Sequence, residues 1–199
     1  MPDPKDGGLW NNDFDMSQYK IAVLAGSLRR ESLNRQLANA ITRLGPPEFS
    51  FSELRIDDLP LYNQDDDAHQ AEPVLRLKRE ISQSQGVVFV TPEYNRSVPG
   101  VLKNAIDHAS RPYGQSAWAG KPAGVLGISV GAAGTSMAQQ HLRNVLAYLD
   151  MPTLGQPEVF LQAKDGLFTP GGEIGPADTK SFLQGWMDRY AAWVRRHVQ

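Results

Sequence analysis

The sequence predicts an α/β fold: an open, five-stranded parallel sheet with helices on both faces. Three observations carry this. From Lys20 onward, apolar strand-like runs alternate with helical stripes five times. One run, Gly86-Val87-Val88-Phe89-Val90, is apolar throughout, which suits a parallel strand covered on both faces. No internal repeat or linker divides the chain, so residues 20–199 read as one doubly wound domain and residues 1–19 as a flexible extension.

The elements follow in order. The first strand is Lys20–Ala25. The first helix opens near Leu33 and carries Leu33, Leu37, Ile41 and Leu44 at helical spacing. The second strand is Phe49–Leu54, followed by a loop over Ile56–Glu72 that holds Pro60 and the acidic run Asp65–Asp67. Pro73 opens the second helix, since proline suits a first helical position, and that helix runs to about Ser84. After the third strand, the loop Thr91–Pro99 leads to a helix with Val101, Leu102, Ala105, Ile106 and Ala109. The fourth strand is Ala123–Val130, and the next helix places Ala138, Leu142, Val145 and Leu149 on one face. A fifth strand is expected within Met151–Phe160, broken by Gly155 and Pro157. The last helix, about Asp178–His197, has Phe182, Trp186, Tyr190 and Trp193 as its buried stripe.

Composition narrows the function. The chain has 199 residues and a net charge of −2, so nothing suggests general attraction to nucleic acid. It has 0 cysteines, which excludes disulfides, thiolate metal sites and cysteine redox chemistry. Any redox function must use a bound cofactor. The apolar runs fall far short of the roughly 20 residues that cross a bilayer. Met1–Tyr19 mixes Pro, Gly, Asn and Asp and lacks the basic and apolar regions of a signal peptide; Met16 is an alternative start. A cytoplasmic location fits. The 4 histidines, His69, His108, His141 and His197, lack metal-ligand spacing, so no metal site is expected.

In an open parallel sheet, ligands bind beyond the carboxyl ends of the strands. Three loops lie there. The first, Gly26–Asn34, joins a strand to a helix N-terminus, where free amides and the helix dipole favour an anion. Ser27, Ser32 and Asn34 add side-chain donors, and Arg29 adds charge. One N-cap residue would suffice for the helix; four polar groups within eight positions favour a phosphate cradle. Neither the P-loop nor the Gly-x-Gly-x-x-Gly pattern is present. The second loop, Thr91–Gly100, offers the aromatic face of Tyr94 and backbone groups to a flat heterocycle, but a stiff turn explains it equally well. The third contains Gly127-Ile128-Ser129-Val130-Gly131, which matches the serine-hydrolase pattern. Ser129 reads as strand rather than sharp turn, and only His141 or His197 follows it, so a strand end opening into a glycine turn is favoured. A response-regulator reading needs an aspartate after the third strand, where Thr91-Pro92-Glu93 stands.

Taken together, Gly26-Ser27-Leu28-Arg29-x-x-Ser32-x-Asn34 and Thr91-Pro92-Glu93-Tyr94-Asn95-x-Ser97-Val98-Pro99-Gly100-x-Leu102-Lys103-Asn104-Ala105-Ile106-Asp107 resemble the NAD(P)H-dependent FMN reductases. The quinone and chromate reductases, related to azoreductases, are the most similar subgroup. The resemblance runs from about Lys20 to Phe160 and implies a flavodoxin-like fold with noncovalent FMN. By position, Ser27, Leu28, Arg29, Ser32 and Asn34 would hold the FMN phosphate. Pro92, Glu93, Tyr94 and Asn95 would line the isoalloxazine, and Ser129 and Gly131 would approach its pyrimidine edge. NADPH or NADH would pass hydride to flavin N5, and a quinone, chromate or other metal oxyanion, azo compound or free flavin would then take the electrons. The protein would supply no nucleophile. The alternative is a flavodoxin-like electron carrier without NAD(P)H turnover.

The resemblance also implies homodimers that pair into tetramers. Relatives often carry an aromatic residue where this chain has Arg96, and an Arg and a Tyr where Met137 and Gln140 stand. Arg96 thus places a cation beside the expected flavin face, where it would attract anionic acceptors or the NADPH phosphate.

Overall fold

The computed structural model describes residues 19–198. Five parallel strands form the sheet: β1 (Tyr19–Ala25), β2 (Phe49–Glu53), β3 (Gly86–Val90), β4 (Ala123–Ser129) and β5 (Phe160–Gln162). Their order is β2-β1-β3-β4-β5, the flavodoxin-like arrangement, whose switch point lies between β1 and β3. Five helices cover it: α1 (Leu33–Thr42), α2 (Glu72–Ser82), α3 (Gly100–Ala109), α4 (Ser136–Tyr148) and α5 (Ala177–His197).

Strand periodicity divides the core in two. Ile21 and Val23 of β1 join Val88 and Val90 against α1 and α5, while Ala22 and Leu24 join Val87 and Phe89 against α2, α3 and α4. The α5 layer is aromatic. Trp186 and Tyr190 stack at 5.4 Å and lie directly on the backbone of β4. A Cβ at Gly124 would stand 2.8 Å from both rings, so glycine permits this approach.

Several expectations need correction. Tyr19 belongs to β1, paired with Phe49, and not to the extension; residues 1–18 lie outside the described ones. The strand expected within Met151–Phe160 shortens and shifts to Phe160–Gln162. Pro152 and Pro157 have no N–H to give a ladder, and only an isolated bridge, Ala123 to Thr153, precedes β5. Helix α1 ends before Leu44, though Leu44 still packs on the core. On α4 the buried positions are Ala138, Gln139, Leu142 and Leu146, with Val145 and Leu149 only partly covered. On α5, Phe182 is 42% exposed, and Leu183, Met187, Ala191 and Val194 complete the stripe instead. The apolar residues of α5 exceed one narrow face, so spacing alone did not choose among them.

Candidate functional site

The carboxyl ends of β1, β3 and β4 bring the three expected loops together. After β1, the Gly26 N–H donates to the Val90 carbonyl at 2.9 Å and ties this turn to β3. Ser27 and Ser32 are buried, while Leu28, Arg29, Arg30 and Glu31 are exposed between them. Ser32 caps α1 by accepting from the Arg35 N–H at 3.3 Å. Its own hydroxyl hydrogen stays available, so cap and ligand roles are compatible. The N–H groups of Leu28, Arg29, Arg30 and Glu31 meet no acceptor among the described residues. No acidic side chain stands in the first turn of α1; just before it, the exposed Arg29 guanidinium lies 3.9 Å from the exposed Glu31 carboxylate. This donor set fits a phosphate dianion.

Asn34 behaves differently from the phosphate ligand expected. Its Nδ2 donates to the Ile128 carbonyl at 2.9 Å, and its Oδ1 accepts from the Ile128 N–H at 3.0 Å. The buried carboxamide thus clamps the start of α1 to the end of β4.

The loop after β3 is held at both ends. Thr91 and Pro92 are buried. Glu93 Oε2 accepts from the N–H groups of Met137 and Ala138 at 3.0 and 3.1 Å. Thr135, the N-cap of α4, makes no capping side-chain bond, so the Glu93 carboxylate performs that task against the helix dipole. Tyr94 and Ser97 then pair through two backbone hydrogen bonds of 3.1 and 3.0 Å. Between them Asn95 (φ 51°) and Arg96 (φ 63°) both adopt the left-handed region, which closes a two-residue hairpin. Tyr94 is half exposed at its base. Arg96 Nη1 reaches Met137 Sδ at 3.1 Å, and Ser97 Oγ lies 3.0 Å from His141 Nδ1.

Ser129 ends β4, and its Oγ accepts from the Gly131 N–H at 3.2 Å. Among the described residues, His141 bonds Ser97 and His197 bonds the Trp193 carbonyl, so no imidazole serves Ser129. In this arrangement the serine shapes the glycine turn. Gly127 is required beneath it: a Cβ there would stand 2.2 Å from both Thr135 Oγ1 and the Thr91 carbonyl. Past Gly131, the N–H groups of Ala132 and Ala133 are unpaired among the described residues. Those residues hold no cluster of three metal-ligating side chains.

Spacing did not reveal a neighbouring cleft. It opens beyond β1 and β2, encloses about 560 Å³ and is bordered by Ser27, Leu28, Arg35, Glu53, Arg55 and Asp57. The only sequence signal for it is the charged run that follows β2. Beside it, hydrogen bonds from Arg76 hold the Asp58 carboxyl below its ordinary pKa.

The profile of the NADPH-dependent FMN reductase family matches residues 19–165. The chain is 53% identical to a 2-hydroxy-1,4-benzoquinone reductase of a Burkholderia species, over 88% of this chain and 96% of that protein. It is 50% identical to a quinone reductase of Pseudomonas putida, over 90% and 97%. Among solved structures, FerB, a flavoenzyme NAD(P)H:(acceptor) oxidoreductase from Paracoccus denitrificans, superimposes with a TM-score of 0.87 at 43% identity, covering 90% of this chain and 98% of that one. On this evidence of sequence and fold alike, the chain belongs to the NADPH-dependent FMN reductase family.

Proposed function

We propose that this FMN-dependent NAD(P)H oxidoreductase uses a quinone as its acceptor and holds FMN across the carboxyl ends of β1, β3 and β4. The observation that carries the binding mode is the row of N–H groups from Leu28 to Glu31, unpaired among the described residues and flanked by the buried hydroxyls of Ser27 and Ser32. A phosphate at that point meets donors, a helix N-terminus and the Arg29 cation. Names of the Burkholderia and Pseudomonas relatives support the quinone.

When bound, FMN supplies two-electron redox chemistry, accepting from NAD(P)H and giving to the acceptor. The protein positions it. Ser27, Leu28, Arg29 and Ser32 grip the phosphate end. Pro92, Glu93, Tyr94 and Asn95 border the ring, with Glu93 acting by fixing its loop to α4. Ser129 and Gly131 set the turn whose Ala132 and Ala133 N–H groups, unpaired among the described residues, would serve the ring's polar edge as preorganised donors. Arg96, at the hairpin tip, adds a cation at the rim that favours anionic acceptors such as chromate, beside azo compounds and free flavin. A homodimer, pairing into a tetramer, belongs to the proposal; the exposed Tyr148, at the end of α4 and lining a groove between α3 and α4, supports a contact there. So does a cytoplasmic location, where NAD(P)H is supplied.

Anaerobic mixing of the flavin-loaded protein with NADPH or NADH, then with benzoquinone, tests the function. Bleaching of flavin absorbance followed by its return on adding quinone is expected. A flavin that stays oxidised with both nicotinamides would make the protein an electron carrier and sink the proposal.

A further inference from the structure

We propose that the cleft beyond β1 and β2 receives the adenosine 2′-phosphate end of NADPH and so sets donor preference. The inference rests on the reductase reading of the adjoining site. The cleft shares Ser27 and Leu28 with the phosphate cradle but extends the other way, toward β2 rather than β3. Leu54 and Ile56, both buried, give it an apolar wall suited to a base.

Its charged groups are arranged in two half-used forks. Arg35 Nε donates to Glu53 Oε1 at 3.0 Å, and Arg55 Nε donates to Asp57 Oδ1 at 2.7 Å. Each carboxylate takes the inner nitrogen. The terminal nitrogens of both arginines make no hydrogen bond among the described residues. Arg55 Nη1 lies 3.7 Å from Asp58, but that carboxylate already accepts from Arg76 at 2.8 and 3.0 Å. Terminal guanidinium nitrogens in this state match the geometry of a phosphate.

Glu53 is the last residue of β2, and Arg35 covers its carboxylate. The lining is balanced in charge, two arginines against two carboxylates; what it offers a phosphate is the outer guanidinium nitrogens, which have no hydrogen bond among the described residues. Both ion pairs are partly exposed, Arg55–Asp57 the more so, and exposed pairs rearrange around a ligand at little cost. Strands β2 and β4 are three spacings apart, about 14 Å, a gap that an extended dinucleotide spans between ring and cleft.

Calorimetric titration of the FMN-loaded protein with adenosine 2′,5′-bisphosphate, 5′-AMP and inorganic phosphate tests this. The bisphosphate should bind about tenfold or more tightly than 5′-AMP and compete with NADPH. In the double variant Arg35→Gln, Arg55→Gln, that advantage should vanish, and the NADPH-to-NADH ratio of kcat/KM should fall about tenfold or more. Flavin content of each preparation confirms that the variant folds and keeps its cofactor. Equal binding of bisphosphate and 5′-AMP, an unchanged ratio in the double variant, or inorganic phosphate matching the bisphosphate in affinity would each overturn the proposal. Bleaching by both nicotinamides without selectivity refutes the cleft alone; absence of bleaching refutes the reductase reading.

Discussion

Replacing Asn34 by alanine separates two roles for this residue. If the carboxamide is a clamp, the variant loses both bonds to Ile128, at 2.9 and 3.0 Å, and leaves two backbone groups unpaired beside a position only 3% exposed. A made hydrogen bond is worth about 1 kcal/mol net, but a buried group left without a partner costs roughly 1–3 kcal/mol. Two such groups give an expected loss of about 3 kcal/mol. For a domain of this size, Tm should fall by roughly 6–12 °C. Scanning calorimetry on the apoprotein is the right assay, because bound FMN raises Tm by mass action and would mix stability with affinity.

Asn34→Asp sharpens the test. It keeps the shape but sets an oxygen against the Ile128 carbonyl. Protonation restores a donor, so the new carboxyl has a higher pKa folded than unfolded. The stability it contributes is present below the unfolded value of about 3.9 and is lost as pH rises through the folded one. The deficit against wild type should therefore narrow in acid. An Asn34→Ala apoprotein whose Tm stays within about 2 °C of wild type, yet which no longer holds FMN, would refute the clamp. It would return Asn34 to the phosphate cradle.

Other expectations follow from the same structure. The Tyr190 hydroxyl is buried without a partner among the described residues, so Tyr190→Phe should leave urea stability unchanged or raise it by about 1 kcal/mol; a comparable loss would reveal a hidden partner. Arg96 sits at φ 63°, a conformation costing about 1–2 kcal/mol for a side-chain-bearing residue, which glycine avoids. Arg96→Gly should thus keep or raise its Tm while KM for chromate rises several-fold, and an unchanged KM for both chromate and NADPH would remove the rim cation from the mechanism. Arg76 depresses the Asp58 carboxyl below its ordinary value of 3.8, so this pair stabilises fully above that value and fades as pH falls through the folded pKa. Urea midpoints of wild type and Asp58→Asn should differ near neutrality and converge in acid.

What was legible in the sequence follows the range of each interaction. The β1 turn and α1 were readable because the apolar run, the cap Ser32 and the helical stripe lie within one short segment. The sheet class was readable because β3 is apolar on both faces. The partner of Asn34 was not, because Ile128 stands 94 residues away and contributes only backbone atoms. The same holds for Glu93, whose partners are N–H groups of α4 that any residue would provide. The cleft needed β2 to lie beside β1, which is a property of strand order rather than of local pattern. The strand expected within Met151–Phe160 lies instead at Phe160–Gln162, because the prolines of the expected segment have no N–H to give the ladder.

These long-range bonds make the three loops one mechanical unit. Gly26 holds the first loop to β3, and Asn34 holds the helix that follows it to β4. Glu93 holds the second loop to the start of α4, which begins where the third loop ends. In the proposed binding mode, a phosphate at Leu28–Glu31 and a ring beside Pro92–Asn95 would therefore be registered against each other by the protein before cofactor arrives. Two side chains with the chemistry of ligands spend that chemistry on the frame. Removing either should loosen both ends of the site together, whereas removing a phosphate donor such as Ser27 should weaken FMN binding and leave the Tm of the apoprotein in place. That contrast, one variant moving stability and the other affinity, is what distinguishes a preorganised cradle from a set of independent contacts.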